Sequence, residues 1–110
     1  MKVSVIVPAL NEEKYIERCL RSIDNQNFSD YEIIVADGQS KDKTVSIARR
    51  HADRVIICKN RGIGHQQNEA AQIAKGDILF FTQADTLLPR NALRELHKHL
   101  EKNEDLSHGT

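Results

Sequence analysis

Four short polar stretches carry the residue types that could bind a ligand, and each follows an apolar run: Pro8-Ala9-Leu10-Asn11-Glu12, Asp37-Gly38-Gln39-Ser40, Lys59-Asn60-Arg61-Gly62 and Gln83-Ala84-Asp85-Thr86. The last follows Gly76-Asp77 and the apolar run Ile78 to Phe81, where hydrophobicity stops and Thr82, Gln83, Asp85 and Thr86 appear. A carboxylate at that position can face a ligand or a metal without entering the core, because ligands of open α/β sheets sit at the carboxyl ends of strands. The alternative is that Asp85 only opens a turn ahead of the helix after Pro89, since Asp is a favoured turn residue. In the second stretch Gly38 supplies conformational freedom and the Asp37 carboxylate can bond nearby amides.

The elements that must position these stretches follow from apolar patterning. Val3 to Val7, Tyr31 to Ala36, Val55 to Cys58 and Ile78 to Phe81 read as strands, the last as a central strand buried on both faces. Asn11 is expected to cap a first helix with Glu12 and Glu13 in its first turn, where acidic residues suit the helix dipole. Ile16, Cys19, Leu20 and Ile23 then recur at helical spacing. A second helix starts near Asp42, a third runs from about His65 to Ala74 and buries small residues, and a last one from about Asn91 carries Leu93, Leu96 and Leu100 on one face. Alternating strands and helices at short spacing predict parallel pairing through right-handed crossovers. The fold class is therefore α/β: a three-layer α/β/α sandwich with a mainly parallel sheet of about four strands and an unfinished edge. In such a sheet all four polar stretches share one rim, where a binding crevice lies. Residues 1–104 form the domain, and 105–110 read as a frayed tail.

Composition narrows the class. With 110 residues, 39% hydrophobic and 29% charged, the chain has enough material for one cored domain. Sixteen basic and sixteen acidic residues cancel, which is not the footprint of a nucleic-acid binder. No apolar run approaches the roughly 20 residues that span a bilayer, and no stretch reads as a signal peptide. Cys19 and Cys58 lack metal-ligand spacing and read as buried thiols in a reducing, cytoplasmic setting. No GxGxxG follows the first strand and no GxxxxGK[ST] occurs, which argues against a dinucleotide or P-loop site.

The succession VSVIVPALNEE, EIIVADGQSKDKT, NRGIGHQQN and AKGDILFFTQADTLLP resembles the amino-terminal half of a family 2 glycosyltransferase, from Val3 to about Leu100. The resemblance implies a GT-A (Rossmann-like) fold and transfer of a sugar from a nucleotide diphosphate donor. By that resemblance Pro8, Ala9, Leu10, Asn11 and Glu12 form the loop along the nucleoside, and Asp37 bonds the base, commonly uracil. Gln83-Ala84-Asp85 stands where the family has Asp-x-Asp, so Asp85 is the implied ligand of a divalent cation, Mg²⁺ or Mn²⁺, bridging the diphosphate.

Two positions depart from the family pattern. Gln83 replaces the first aspartate, removing a negative charge while keeping hydrogen-bonding capacity. Gln67-Asn68 stands where many relatives have Arg-Asn, with Arg61 or Lys59 as candidate replacements at the diphosphate. His65 reads as a surface or helix-capping residue that could reach phosphate. No residue matches the family's catalytic base, so the acceptor half is expected outside these 110 residues. Two readings follow: a UDP-sugar-dependent glycosyltransferase completed elsewhere, or a non-catalytic nucleotide or nucleotide-sugar binding module. The expected partners are a nucleotide diphosphate sugar and a second copy or partner subunit, with an acceptor at the inner membrane face as one option.

Overall fold

The computed structural model describes residues 1–102, excluding the side chain of residue 102; the expected tail at 105–110 lies outside the described residues. Eight elements alternate along the chain: β1 (Val3–Ala9), α1 (Ile16–Asp24), β2 (Tyr31–Asp37), α2 (Thr44–His51), β3 (Arg54–Ile57), α3 (Ile63–Ile73), β4 (Ile78–Phe81) and α4 (Ala92–Lys102). The strands form one sheet in the order β3-β2-β1-β4, and every pairing is parallel.

That order follows from crossover handedness. The chain steps from β1 to β2 to β3 in one direction, with α1 and α2 on one face. It then returns from β3 to β4 across the whole sheet. A right-handed return must cross on the opposite face, and α3 lies there, against β1 and β2. The result is three layers. On one side Val3, Val5, Val7, Ile33 and Val35 pack with Ile16, Cys19, Leu20, Ile23, Ala48 and Leu93 from α1, α2 and α4. On the other, Ile6, Ile34 and Ala36 meet Ala70 and Cys58, with Ala71, Ile73 and Ala74 alongside. The small side chains of α3 allow that close approach, as their spacing predicts. Burying each Val, Ile or Leu contributes about 1.5–3 kcal/mol. Both cysteines are free and buried, and burial pushes each thiol up to about 11.

The structure corrects three expectations. β4 is an edge strand, not a central one; β1 and β2 are the central strands. Ile78 and Phe80 face the core, whereas Leu79 and Phe81, on the α3 side, are 41% and 44% exposed. An unbroken apolar run does not separate a strand buried on both faces from an edge strand whose second face is left uncovered. Second, Asn11 does not cap α1. It adopts left-handed backbone, φ 54°, the helix begins at Ile16, and Glu12 and Glu13 precede it. Third, the conformational freedom expected of Gly38 is used by its neighbour: Gln39 takes the positive φ, 71°.

Candidate donor-binding cleft

β1 extends to Ala9, beyond Ile6, its last residue paired with β4. Pro8 falls in that overhang, where β4 has already left the sheet, so its missing N–H interrupts no β1–β4 pairing. The chain leaves β1 and β4 at neighbouring carboxyl ends, and between them the sequential direction of the sheet reverses. This is a topological switch point, where open α/β sheets leave a crevice. A cavity of about 310 Å³ occupies it, lined by Pro8, Ala9, Leu10, Glu12, Gly62, Ile63, Gln66, Gln83, Ala84 and Asp85.

The Asp85 wall is clamped from behind. The Thr86 N–H donates to the Gln83 carbonyl at 3.0 Å, closing a turn with Asp85 inside it. Ala84 is buried in the core, and the Cys19 thiol donates to the same Gln83 carbonyl at 3.3 Å. Asp85 and Gln83 remain exposed. Asp85 therefore is a turn residue that also lines the cavity.

The opposite wall is held by the neighbouring loop. The Asn11 N–H donates to Ser40 Oγ at 2.8 Å, and Asn11 Oδ1 accepts from the Lys41 N–H at 2.9 Å. The Glu12 N–H donates to Thr44 Oγ1 at 2.8 Å, and the Glu13 N–H to Asp42 Oδ2 at 3.2 Å. The Thr44 hydroxyl, then the Thr44 and Glu13 amides, hold the Asp42 carboxyl below its ordinary value against the opposing effect of desolvation. The loops after β1 and β2 thus form one zipped unit. Asp37 closes its inner end: its carboxylate accepts from the Ser40 N–H at 2.8 Å and the Ser40 hydroxyl at 2.5 Å. Asp37 is 0% exposed.

Of the residues singled out in the sequence, the fold brings Pro8, Ala9, Leu10, Glu12, Gln83, Ala84 and Asp85 around this cavity; Asn11, Asp37 and Gln67 are outside its lining. Gln67 is half-buried, and the residue before it, Gln66, lines the cavity instead. Arg61 donates through Nε to the Gly38 carbonyl at 3.0 Å and through Nη2 to the Gln39 carbonyl at 3.4 Å, bracing the loop after β2. Gln66 was passed over in the sequence. Its only outward sign is polarity on the buried face of a helix otherwise lined by alanines.

The donor set suits a hard cation. Burial, then the charges of Asp85 and Asp42, raise the Glu12 carboxyl above its ordinary value. Among the described residues no three His, Cys, Asp or Glu converge on a metal site. Mg²⁺ and Mn²⁺ sites at phosphates commonly use one or two carboxylates and complete the shell with phosphate oxygens and water. Asp85, an exposed carboxylate lining the cavity, fits that pattern.

Proteins similar to this chain include sugar transferases. The chain is 37% identical to the uncharacterized glycosyltransferase YfnE of Bacillus subtilis over 96% of its own length and 29% of that protein's. It is 34% identical to the GalNAc(5)-diNAcBac-PP-undecaprenol beta-1,3-glucosyltransferase of Campylobacter jejuni, over 97% of this chain and 36% of that one. The fold superposes on S. aureus TarS 1–349 in complex with UDP-GlcNAc with TM-score 0.86 at 30% identity, covering 94% of this chain and 32% of that chain. It also superposes on the mannosyltransferase PcManGT from Pyrobaculum calidifontis, in complex with GDP-Man and Mn²⁺, with TM-score 0.83 at 34% identity, over 90% of this chain and 32% of that one. The chain thus spans about a third of these relatives. The fold is that of the GT-A glycosyltransferases, and the family model for glycosyl transferase family 2 matches residues 4–110: the chain belongs to glycosyl transferase family 2.

Proposed function

We propose that this chain is the donor-binding part of a glycosyltransferase, holding a UDP-sugar in the cleft between the ends of β1 and β4. The observation that carries the reading is convergence: two loops distant in sequence, Pro8–Glu12 and Gln83–Asp85, form one cavity at the switch point of the sheet. The UDP-GlcNAc held by the similar TarS structure supports a nucleotide sugar there. Asp37 is a carboxylate that can accept from a ring N–H, which both uracil and guanine offer. The UDP and UDP-GlcNAc held by the similar TarS structures, rather than the GDP-Man of PcManGT, are the support for reading the base as uracil.

Pro8 to Glu12 lie along the nucleoside, and Asp37, at the buried end of the zipped loops, holds the base. Asp85 faces the diphosphate, with Gln83 hydrogen-bonding the ribose or sugar in place of a second carboxylate. A divalent cation, when bound, would supply positive charge against the leaving diphosphate. Gln67, half-buried on α3, would stand near the donor at the place where the family resemblance has arginine. The acceptor hydroxyl and the base that deprotonates it lie outside the matched donor motifs. The uncovered edge at β4 favours a second copy or partner subunit there. No helix among the described residues is long and apolar enough to cross a membrane. The test is isothermal calorimetry with UDP, ADP and GDP: UDP binds most tightly if the reading holds, and equal binding of all three removes Asp37 from the base site.

A further inference from the structure

Gln66 is 3% exposed, and it is a polar side chain on the buried face of α3. Its amide is fully engaged. Nε2 donates to the Ala9 carbonyl at 3.0 Å and to the Ala36 carbonyl at 2.9 Å, while Oε1 accepts from the Gly62 N–H at 3.1 Å. These partners belong to three different segments. Ala9 ends β1 just before the Leu10–Glu12 loop, Ala36 precedes Asp37 in β2, and Gly62 is the residue before α3. The two carbonyls lie near the carboxyl end of the central strand pair, whose last registered pair is Ala9 with Asp37. The Gly62 N–H belongs to the turn of α3 whose amides have no partner within the helix. One side chain thus bonds three segments, two of which, at Ala9 and Gly62, line the cavity.

The surroundings are shaped to this amide. A Cβ added at Gly38 would lie 2.9 Å from Gln66 Oε1 and 3.1 Å from its Cδ. A side chain at 38 would therefore push on the amide that the loop after β2 packs against. The Gly38 N–H also donates to the Ala9 carbonyl, at 2.8 Å, so Ala9 receives both bonds. No other natural side chain reproduces this pattern. Methionine has similar length but removes both Nε2 bonds, leaving the Ala9 carbonyl with the Gly38 N–H alone and the Gly62 N–H without its side-chain acceptor, and glutamate turns an acceptor toward two carbonyl oxygens.

We infer that Gln66 is a positioning residue of the donor cleft: its amide sets the mutual placement of the Pro8–Glu12 loop, the Asp37 strand end and the start of α3. It acts through these segments. The inference rests on the donor-binding reading, and it has a readout that does not.

The experiment compares the parent, Gln66→Met, Gln66→Glu and a control, Gly76→Ala, which strains the opposite end of the sheet. UDP affinity is measured by calorimetry at a temperature where circular dichroism shows each protein folded, and backbone amide exchange is followed by NMR without ligand. Gln66→Met is expected to weaken UDP binding about tenfold and to accelerate exchange at Gly38 and Gly62, while the amides in the middle of β1 and β2 stay protected. Gly76→Ala lowers the melting temperature and leaves UDP affinity as in the parent. In Gln66→Glu a buried carboxyl titrates high, and its protonated form regains one donor and one acceptor. Its deficit relative to the parent therefore narrows between about pH 8 and about pH 5.5. Parent-like UDP affinity and exchange in Gln66→Met would overturn the inference, as would a Gln66→Glu deficit independent of pH. If the parent itself binds no UDP, the donor reading fails separately, and exchange decides: acceleration confined to Gly38 and Gly62 sustains the positioning role, and none, or acceleration spread evenly over the sheet, removes it.

Discussion

Individual carboxylates do unlike work in this chain, and the partners of each say which. Glu32, 5% exposed, accepts from the Ser4 hydroxyl at 2.5 Å, the Lys75 N–H at 2.6 Å and Arg54 Nη2 at 2.9 Å. Burial acts to raise its carboxyl, but these bonds and the Arg54 charge outweigh it and hold the group below its ordinary value. A carboxyl lowered by folding stabilises the protein above its unfolded value of about 4.3, and that contribution disappears as pH falls through the lower folded value. Glu32→Gln should therefore cost about 2 kcal/mol near neutrality, with the gap to the parent closing below about pH 4. Urea unfolding between these pH values checks it; a gap independent of pH would contradict it. Asp37 belongs to the rim instead. Asp37→Ala should erase the preference for UDP over ADP and GDP, a loss of about 1.5–3 kcal/mol for a charge-assisted hydrogen bond, read by competition calorimetry. Asp37 was legible from its turn chemistry. Asn11 was misread because a capping side chain and a left-handed corner use the same residue type, and only the partner loop, remote in sequence, distinguishes them. Gln66 was not legible, since its three partners come from segments that only the fold brings together.

At the scale of elements, the strands and helices followed from apolar patterning because each buries a face at its own period. The place of β4 in the sheet did not, because edge position depends on which neighbours arrive. β4 enters the sheet at Gly76, whose added Cβ would fall 2.5 Å from Ser4 Oγ, 2.6 Å from the Ser4 nitrogen and 2.9 Å from the Lys2 carbonyl. Backbone cannot yield as a flexible side chain does, so Gly76→Ala should destabilise the fold by about 2–3 kcal/mol, lowering the melting temperature in calorimetry. An unchanged melting temperature would show that the strand can shift. The free side of β4 makes a second prediction. The Ile78 and Thr82 amides donate to the Lys2 and Ile6 carbonyls of the β1 segment, so by alternation the amides of Leu79 and Phe81 point outward. The same two residues leave their side chains exposed on the α3 face. Among the described residues no strand lies beside these amides, and amides so placed next to exposed apolar side chains invite another strand. Self-association at micromolar concentration is expected in sedimentation velocity, and Phe81→Lys should abolish it; a parent that sediments only as a monomer would contradict this.

For the whole molecule, the sequential reversal of the sheet leaves a cleft, the zipped loops after β1 and β2 build one wall, and the Gln83–Thr86 turn builds the other. The family and the rim were legible because motifs and strand ends are local. The relation between Glu12 and Asp85, which crosses the cavity, was not. The central claim is that this cleft takes a nucleotide diphosphate together with a divalent cation, with Asp85 as the protein's ligand to the ion. Binding of cation and diphosphate must then strengthen each other equally. With glutamine at position 83, the protein alone should hold the ion weakly. The most direct measurement is titration of UDP into the parent and into Asp85→Asn, each with and without Mn²⁺. The account predicts that Mn²⁺ tightens UDP binding to the parent about tenfold or more, that Asp85→Asn loses this enhancement, and that the variant still prefers UDP over ADP and GDP. A metal enhancement undiminished in Asp85→Asn, or a parent whose UDP binding ignores Mn²⁺, would contradict it.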